Sequence, residues 1–129
     1  MKKILLALVT ASILTFGVAE ASAADTTPKS VIHVVTVAWK EDAKPEQIQA
    51  ALDGVKALPA EFNGITHVWV KSIKVQNPGG TKKPRTHVFV MEFADEAALK
   101  AYADSAAQKK WYTLYAPIRD ESTTHDITN

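Results

Sequence analysis

From Val31 onward, two hydrophobic rhythms alternate along the chain. Val31 to Trp39 is rich in β-branched residues and reads as a strand. Pro45 suits the first turn of a helix. Ile48, Ala51, Leu52, Val55 and Leu58 follow at helical spacing until Pro59, which is expected to end the run. Asn63-Gly64 marks a turn, and Ile65 to Val75 reads as a second strand. Gln76 to Pro84, with Pro78-Gly79-Gly80, reads as a loop, and Arg85 to Phe93 as a third strand. Asp95 is placed to cap an Ala-rich helix over Ala97 to Ala107, with Leu99 and Tyr102 on one face. Trp111 to Ile118 reads as a further helical turn broken at Pro117, and the Thr-rich Ser122 to Ile127 as a short last strand.

A β-α-β-β-α-β order in one small domain predicts an α+β, ferredoxin-like fold: a four-stranded antiparallel sheet with two helices on one face. The expected sheet order is 4-1-3-2, with the first and third strands side by side at the centre and running parallel. Both faces of this sheet are apolar, where a half-exposed sheet alternates apolar with polar. Trp39, Phe89, Met91 and Phe93 are assigned to the helix side. The opposite set, Ile32, Val34, Ala38, Val68, Val70, Val88 and Val90, then forms a patch larger than a soluble monomer exposes. A second copy of the same sheet, related by a two-fold axis, is the simplest cover, so the expected assembly is a homodimer joined through Ile32, Val34, Val68, Val70, Val88 and Val90. Folding of the chain's own tail or of the 76–84 loop over this face is the alternative.

The first thirty residues follow neither rhythm. Lys2 and Lys3 precede an uncharged apolar run from Ile4 to Val18, and Ala21-Ser22-Ala23 supplies small residues before a cleavage point. This is the layout of a signal peptide over residues 1–23, with a polar lead-in over 24–30 and the domain over 31–129. The run is shorter than the roughly 20 residues of a spanning helix. The expected location is therefore periplasmic or extracellular, with no membrane attachment after cleavage. Removal of Lys2, Lys3 and Glu20 leaves 13 basic and 13 acidic residues, against 15 and 14 in the full chain of 129. A balanced charge gives no basic footprint for nucleic acid. The absence of Cys excludes a thiolate metal site and a cysteine nucleophile, and it agrees with an oxidising compartment. Pro78-Gly79-Gly80-Thr81-Lys82-Lys83 lacks the spacing of a phosphate loop, and no cofactor is expected.

Three stretches together resemble the stress-responsive A/B barrel (Dabb) family. They are Val31-Ile32-His33-Val34-Val35, the helix opening Pro45-Glu46-Gln47-Ile48, and the strand-to-helix segment from Thr86 through Glu92-Phe93-Ala94-Asp95 to Leu99 and Tyr102. The resemblance implies a small dimeric α+β barrel with a pocket between sheet and helices. It also implies a place among proteins that include a plant polyketide cyclase, whose second helix carries a tyrosine and a histidine that perform the chemistry. Tyr102 matches the helix tyrosine, His33 and His87 match histidines at strand starts, and Asp126 matches an aspartate of the last strand. The family pattern after the tyrosine is x-x-His-Pro-x-His. Here Ser105 and Gln108 stand in place of both histidines. Gln108 has no titratable group and cannot act as a general base.

Read without the resemblance, His33 and His87 lie near the starts of strands expected to be parallel neighbours, about 4.8 Å apart. The end of the last strand at Asp126 is expected beside His33, with Tyr102 and Gln108 overhead. The expected ligand pocket is therefore His33, His87, Phe89, Met91, Tyr102, Gln108 and Asp126, and the candidate catalytic groups are Tyr102, His33 and His87. Such a cluster also suits buried polar residues that fix strand register. Pairing Val75 with Arg85 puts His67 opposite Phe93, about 20 Å along the sheet from the His87 level, so a three-histidine metal site that includes His67 is not expected. A site of His33, His87 and Asp126 stays open, but no metal is expected, and His67 and His125 read as edge residues. Trp111, Tyr112 and Tyr115 read as aromatic core, with the lining of a pocket mouth as the alternative. The leading expectation is an exported dimeric domain that binds a small, mostly apolar molecule without established catalysis. A cyclase- or lyase-like enzyme and a self-associating, stress-related module are the alternatives.

Overall fold

The computed structural model describes residues 29–76 and 83–128. The expected signal peptide and most of the Pro-Gly-Gly loop lie outside the described residues. The elements are β1 (Val31–Trp39), α1 (Pro45–Glu61), β2 (Ile65–Ser72), β3 (His87–Phe93), α2 (Glu96–Ala103), α3 (Ala106–Tyr115) and β4 (Arg119–Ile127). The sheet order is β2-β3-β1-β4, the expected order read from the other edge. All neighbours, β1 and β3 included, pair antiparallel, which corrects the expected parallel pairing of the two central strands. The physical reason lies in the α1 crossover. It makes β1 and β2 parallel to each other, and β3, inserted between them, must run against both.

Local chemistry sets the helix ends. Pro45 opens α1, and the Lys44 N–H donates to Gln47 Oε1 at 3.0 Å. Pro59 does not end α1, which runs on to Glu61. A proline in the last turn forfeits a single backbone hydrogen bond, and the Phe62 N–H still closes the turn on the Leu58 carbonyl at 2.8 Å. Asp95 accepts from the Ala98 N–H at 2.8 Å, as its position predicts. The single helix expected over 97–107 is two. Ser105 Oγ donates to the Tyr102 carbonyl at 2.8 Å and accepts from the Gln108 N–H at 3.1 Å, so it ends α2 and caps α3 with one hydroxyl.

All three helices pack on one face of the sheet. The core joins Val31, Val35, Val37, Phe89, Met91 and Phe93 of the strands to Ala51, Val55, Leu58, Tyr102, Trp111 and Tyr115 of the helices. Val68 and Val70 also face this core, opposite Met91 and Phe89. Their assignment to the dimer patch is therefore corrected. A register shift between Ile65 and His67 puts His67 opposite Glu92 rather than Phe93, and one residue of slip turns every later side chain to the other face. Trp69, opposite Val90, takes their place and is 47% exposed. Ala38 drops out for a different reason. Arg85 bonds Glu121 at 2.7 Å and Thr123 at 3.2 Å, spanning β1, and Ala38 is buried. The face that the described residues leave uncovered is then Ile32, Val34, Val88, Val90, Trp69 and Ile127, with Thr36 and His125 among them.

Candidate functional site

A cavity of about 130 Å³ lies between the sheet and the α2–α3 pair. That is of the order of the roughly 150 Å³ apolar cavity known to accept one benzene ring. Val35, Phe89 and Met91 form its floor, and Trp111 and Tyr115 its wall. The aromatic rings hold one another in place. Trp111 stacks on Tyr115 at 4.5 Å between centroids, and Phe89 meets both edge-on at 5.4 and 5.7 Å. The Trp111 indole is pinned further by its N–H, which donates to the Ala51 carbonyl at 2.9 Å. This requires α1 and α3 to approach closely, and Gly54 sits at the contact.

The polar lining is unusual for its spare donors. Tyr102 and Tyr115 are 3% and 2% exposed and both line the cavity; among the described residues the buried Tyr102 hydroxyl finds no hydrogen-bond partner, while that of Tyr115 lies beside Ser122 and Arg119. A buried unpaired hydroxyl costs about 1–3 kcal/mol. Burial pushes the Tyr102 phenol well above its ordinary pKa and also raises that of Tyr115, where hydrogen bonding with the nearby Ser122 and Arg119 pulls the other way. Both hydroxyls therefore stay protonated at neutral pH and serve as donors, not as bases. Gln108, Ser122, Thr124, Arg119 and the exposed Tyr112 complete the lining. No carboxylate belongs to it.

His33 also lines the cavity, edge-on to Phe93, and its Nδ1 lies 2.5 Å from Asp126 Oδ1. β1 and β4 pair antiparallel with His33 opposite Asp126, so this contact arises as the sequence predicts. Asp126 holds His33 from behind and does not itself line the cavity. With Nδ1 engaged, Nε2 is the ring nitrogen left for a ligand.

His87 is the principal correction. It pairs with Val37, whereas His33 pairs with Met91. Four residues of strand, about 13 Å, separate the two levels. Once β1 and β3 run antiparallel, their starts lie at opposite ends of the sheet. His87 instead accepts from Trp39 Nε1 at 2.9 Å, lies outside the cavity, and has its pKa lowered by burial. It belongs neither to the ligand pocket nor to the catalytic candidates. The His33, His87 and Asp126 metal set is dispersed with it. Among the described residues no three His, Cys, Asp or Glu side chains converge.

Of the expected pocket residues, His33, Phe89, Met91, Tyr102 and Gln108 meet at the cavity. Trp111, Tyr112 and Tyr115 line it as well, in line with the alternative reading of them as a pocket mouth, whereas Arg119, Ser122 and Thr124 are not among the expected lining residues. Alternation along the last strand, counted from Asp126, gives Thr124 and Ser122 directly. Arg119 follows only once β4 is known to begin three residues earlier than its Thr-rich stretch and to shift register between Ala38 and Trp39. That shift sets Arg119 opposite Trp39, on the cavity side.

Solved structures with this architecture come from several sources. A Passiflora edulis hydroxynitrile lyase matches at 14% identity and TM-score 0.67, over 78% of this chain and 93% of that one. A dimeric ferredoxin-like protein of unknown function from Bacteroides fragilis matches at 19% identity and TM-score 0.65, over 81% and 100%. A Dabb family protein from Mesorhizobium loti, with a ferredoxin-like fold, matches at 20% identity and TM-score 0.64, over 78% and 96%. At these identities the likeness establishes the fold. No curated protein matches the sequence. The profile of the stress responsive A/B barrel domain matches residues 31–129, the whole of the folded unit, and the chain belongs to the Dabb family.

Proposed function

We propose that this chain is an exported, homodimeric binding protein that holds one small, mostly apolar molecule in the cavity between sheet and helices. The observation that carries this reading is the buried, unpartnered hydroxyl of Tyr102, a residue that lines the cavity. A protein gains nothing in stability from such a group, whereas a ligand oxygen that accepts from it offsets its desolvation. Phe89, Met91 and Trp111 supply apolar contact, and Gln108 and His33 supply orientation. The ring-sized volume sets the scale of the ligand.

Dimerisation supports the same reading. The uncovered face of Ile32, Val34, Val88, Val90 and Trp69 is the surface a second copy would cover, and similar structures such as the Bacteroides fragilis protein are dimers. Export rests on the sequence of residues 1–23.

The test is native mass spectrometry of the purified protein, followed by thermal unfolding with a library of one-ring compounds. Ligand-dependent stabilisation that is lost in Tyr102→Phe supports binding at this cavity. An absence of stabilisation throughout the library would leave self-association as the better reading.

One observation favours a second reading. An imidazole oriented by a carboxylate, beside two tyrosine donors, is an arrangement that can move a proton at a bound carbonyl compound. In that case His33 is the base, and Tyr102 and Tyr115 hold the carbonyl oxygen. Turnover of a carbonyl substrate that disappears in His33→Ala would select it. Turnover that survives that change would place the chemistry elsewhere.

A further inference from the structure

We infer that the cavity selects an anion, a compact monocarboxylate with a flat apolar body, and that Arg119 is the residue that imposes this choice. The inference rests on the cavity being a ligand site and specifies which charge the ligand carries.

β4 opens with three consecutive charged residues, Arg119, Asp120 and Glu121. Asp120 is taken by Lys83 at 2.8 Å, and Glu121 by Arg85 at 2.7 Å. Arg119 forms no ion pair among the described residues. The register shift between Ala38 and Trp39 brings it to the cavity, and Arg119 also borders an open surface recess shared with Asp120 and Glu121. Glu121, opposite Ala38, points to the uncovered face, whereas Arg119, opposite Trp39, lines the cavity. Its guanidinium carbon lies 5.5 Å from the centre of the Tyr115 ring, which fixes it at the cavity wall.

Among the described residues the cavity lining therefore holds one permanent positive charge, two buried tyrosines and no carboxylate. The nearest carboxylate partner of a lining residue, Asp126, is engaged by His33. A neutral ligand oxygen would satisfy a tyrosine hydroxyl and leave the guanidinium unanswered. A carboxylate has two oxygens and a charge: it accepts from the tyrosines and pairs with Arg119 together. Phe89, Met91 and Trp111 then enclose the rest of the molecule. A cation is disfavoured by the same set of groups.

The experiment compares sodium benzoate with benzamide, a neutral molecule of nearly the same shape, by isothermal titration into the full dimeric protein. Benzoate is expected to bind wild type about tenfold or more tightly than benzamide, a difference in the range of charge-assisted over neutral hydrogen bonds. Arg119→Gln is expected to abolish that preference by weakening benzoate and leaving benzamide within about twofold, and Arg119→Lys to retain part of it. The wild-type comparison stands alone if a variant fails to fold. Equal binding of the two probes, each weakened by Tyr102→Phe, overturns the anion assignment and leaves the cavity as the site. Failure of both probes at millimolar concentration overturns the cavity reading and the inference together. A benzoate preference that persists in a folded Arg119→Gln variant places the selecting charge elsewhere and overturns the role of Arg119.

Discussion

The Tyr102 hydroxyl is the most informative single group in the molecule. In an ordinary core a buried phenol is hydrogen-bonded, and its removal costs about 1 kcal/mol. Here the hydroxyl has no partner, so Tyr102→Phe is expected to leave the ligand-free protein as stable as wild type or more stable, by up to about 1 kcal/mol, while ligand affinity falls about tenfold. Urea unfolding with and without ligand measures both effects, and a clear loss of ligand-free stability would show that the hydroxyl is already satisfied. His87 makes a contrasting residue-scale prediction, because its role is structural. Burial lowers its pKa, and its unprotonated Nδ1 accepts from Trp39. The unfolded chain binds a proton at the ordinary histidine value, about 6.5, and the folded chain only at lower pH. The unfolded state therefore carries more protons between the two values, and stability falls as pH falls through that window. His87→Gln keeps an acceptor for Trp39 but does not titrate. Its melting temperature is expected to fall less than that of wild type between about pH 7.5 and about pH 5.5. Equal slopes for the two proteins would remove His87 from the acid limb.

Elements decide which of these residues meet. Gly54 lies inside α1, where alanine is favoured by about 1 kcal/mol on helix propensity alone. A Cβ at this position would lie 2.8 Å from Trp111 Cδ1, and Trp111 is held by its bond to the Ala51 carbonyl. Overpacking costs about 1–3 kcal/mol and outweighs the propensity gain, so Gly54→Ala is expected to destabilise by about 1–2 kcal/mol and to push the indole toward the cavity, weakening ligand binding. Chemical denaturation and ligand titration read the two effects, and a stabilised variant would mean that the ring yields. The limits of the sequence reading also lie at the scale of elements. Every strand and α1 were legible, because their periodicity is strong and Pro45, Asp95 and the Asn63-Gly64 turn punctuate it. The His33–Asp126 contact was legible because antiparallel β1–β4 pairing follows from the topology. His87 was misplaced by the direction of one strand, since residue patterns carry no sign of whether neighbours run parallel. Val68 and Val70 were misplaced by the register shift after Ile65, because strict alternation cannot register an extra residue. Arg119 was missed for a related reason at the other edge. The break between α2 and α3 turned on one serine hydroxyl that mimics a backbone partner at both helix ends.

The sheet faces two environments, and the described residues supply only one of them. On the far side from the helices, Ile32, Val34, Val88 and Val90 form a strip across the two central strands, flanked by Trp69 on β2 and Ile127 on β4. Trp69 and Ile127 are 47% and 57% exposed in the single chain. Bulky apolar groups at both edges of a valine strip are a poor surface for a monomer and a good one for a copy of itself, since a two-fold axis brings each edge against the partner's sheet. Thr36 and His125 lie among these residues, and the other polar groups of this face sit at its border. His67 stacks on Trp69 and reaches Glu92, and Arg85 closes over Ala38 toward Glu121. A border of that kind suits the rim of an interface around an apolar centre. Val90, between Val34 and Trp69, is at that centre. Val90→Lys would place an uncompensated charge there in each protomer and is expected to give a folded monomer at micromolar concentration, whereas wild type is expected to sediment as a dimer. The same change is expected to make Trp69 more accessible to acrylamide, while Trp111, buried among the helices, is shielded in both forms. A wild-type monomer, or a Val90→Lys variant that stays dimeric, would move the interface off this face. Since the cavity lies on the opposite side of the sheet, the monomeric variant is also expected to keep its ligand, which separates the effect of assembly from the effect of the site.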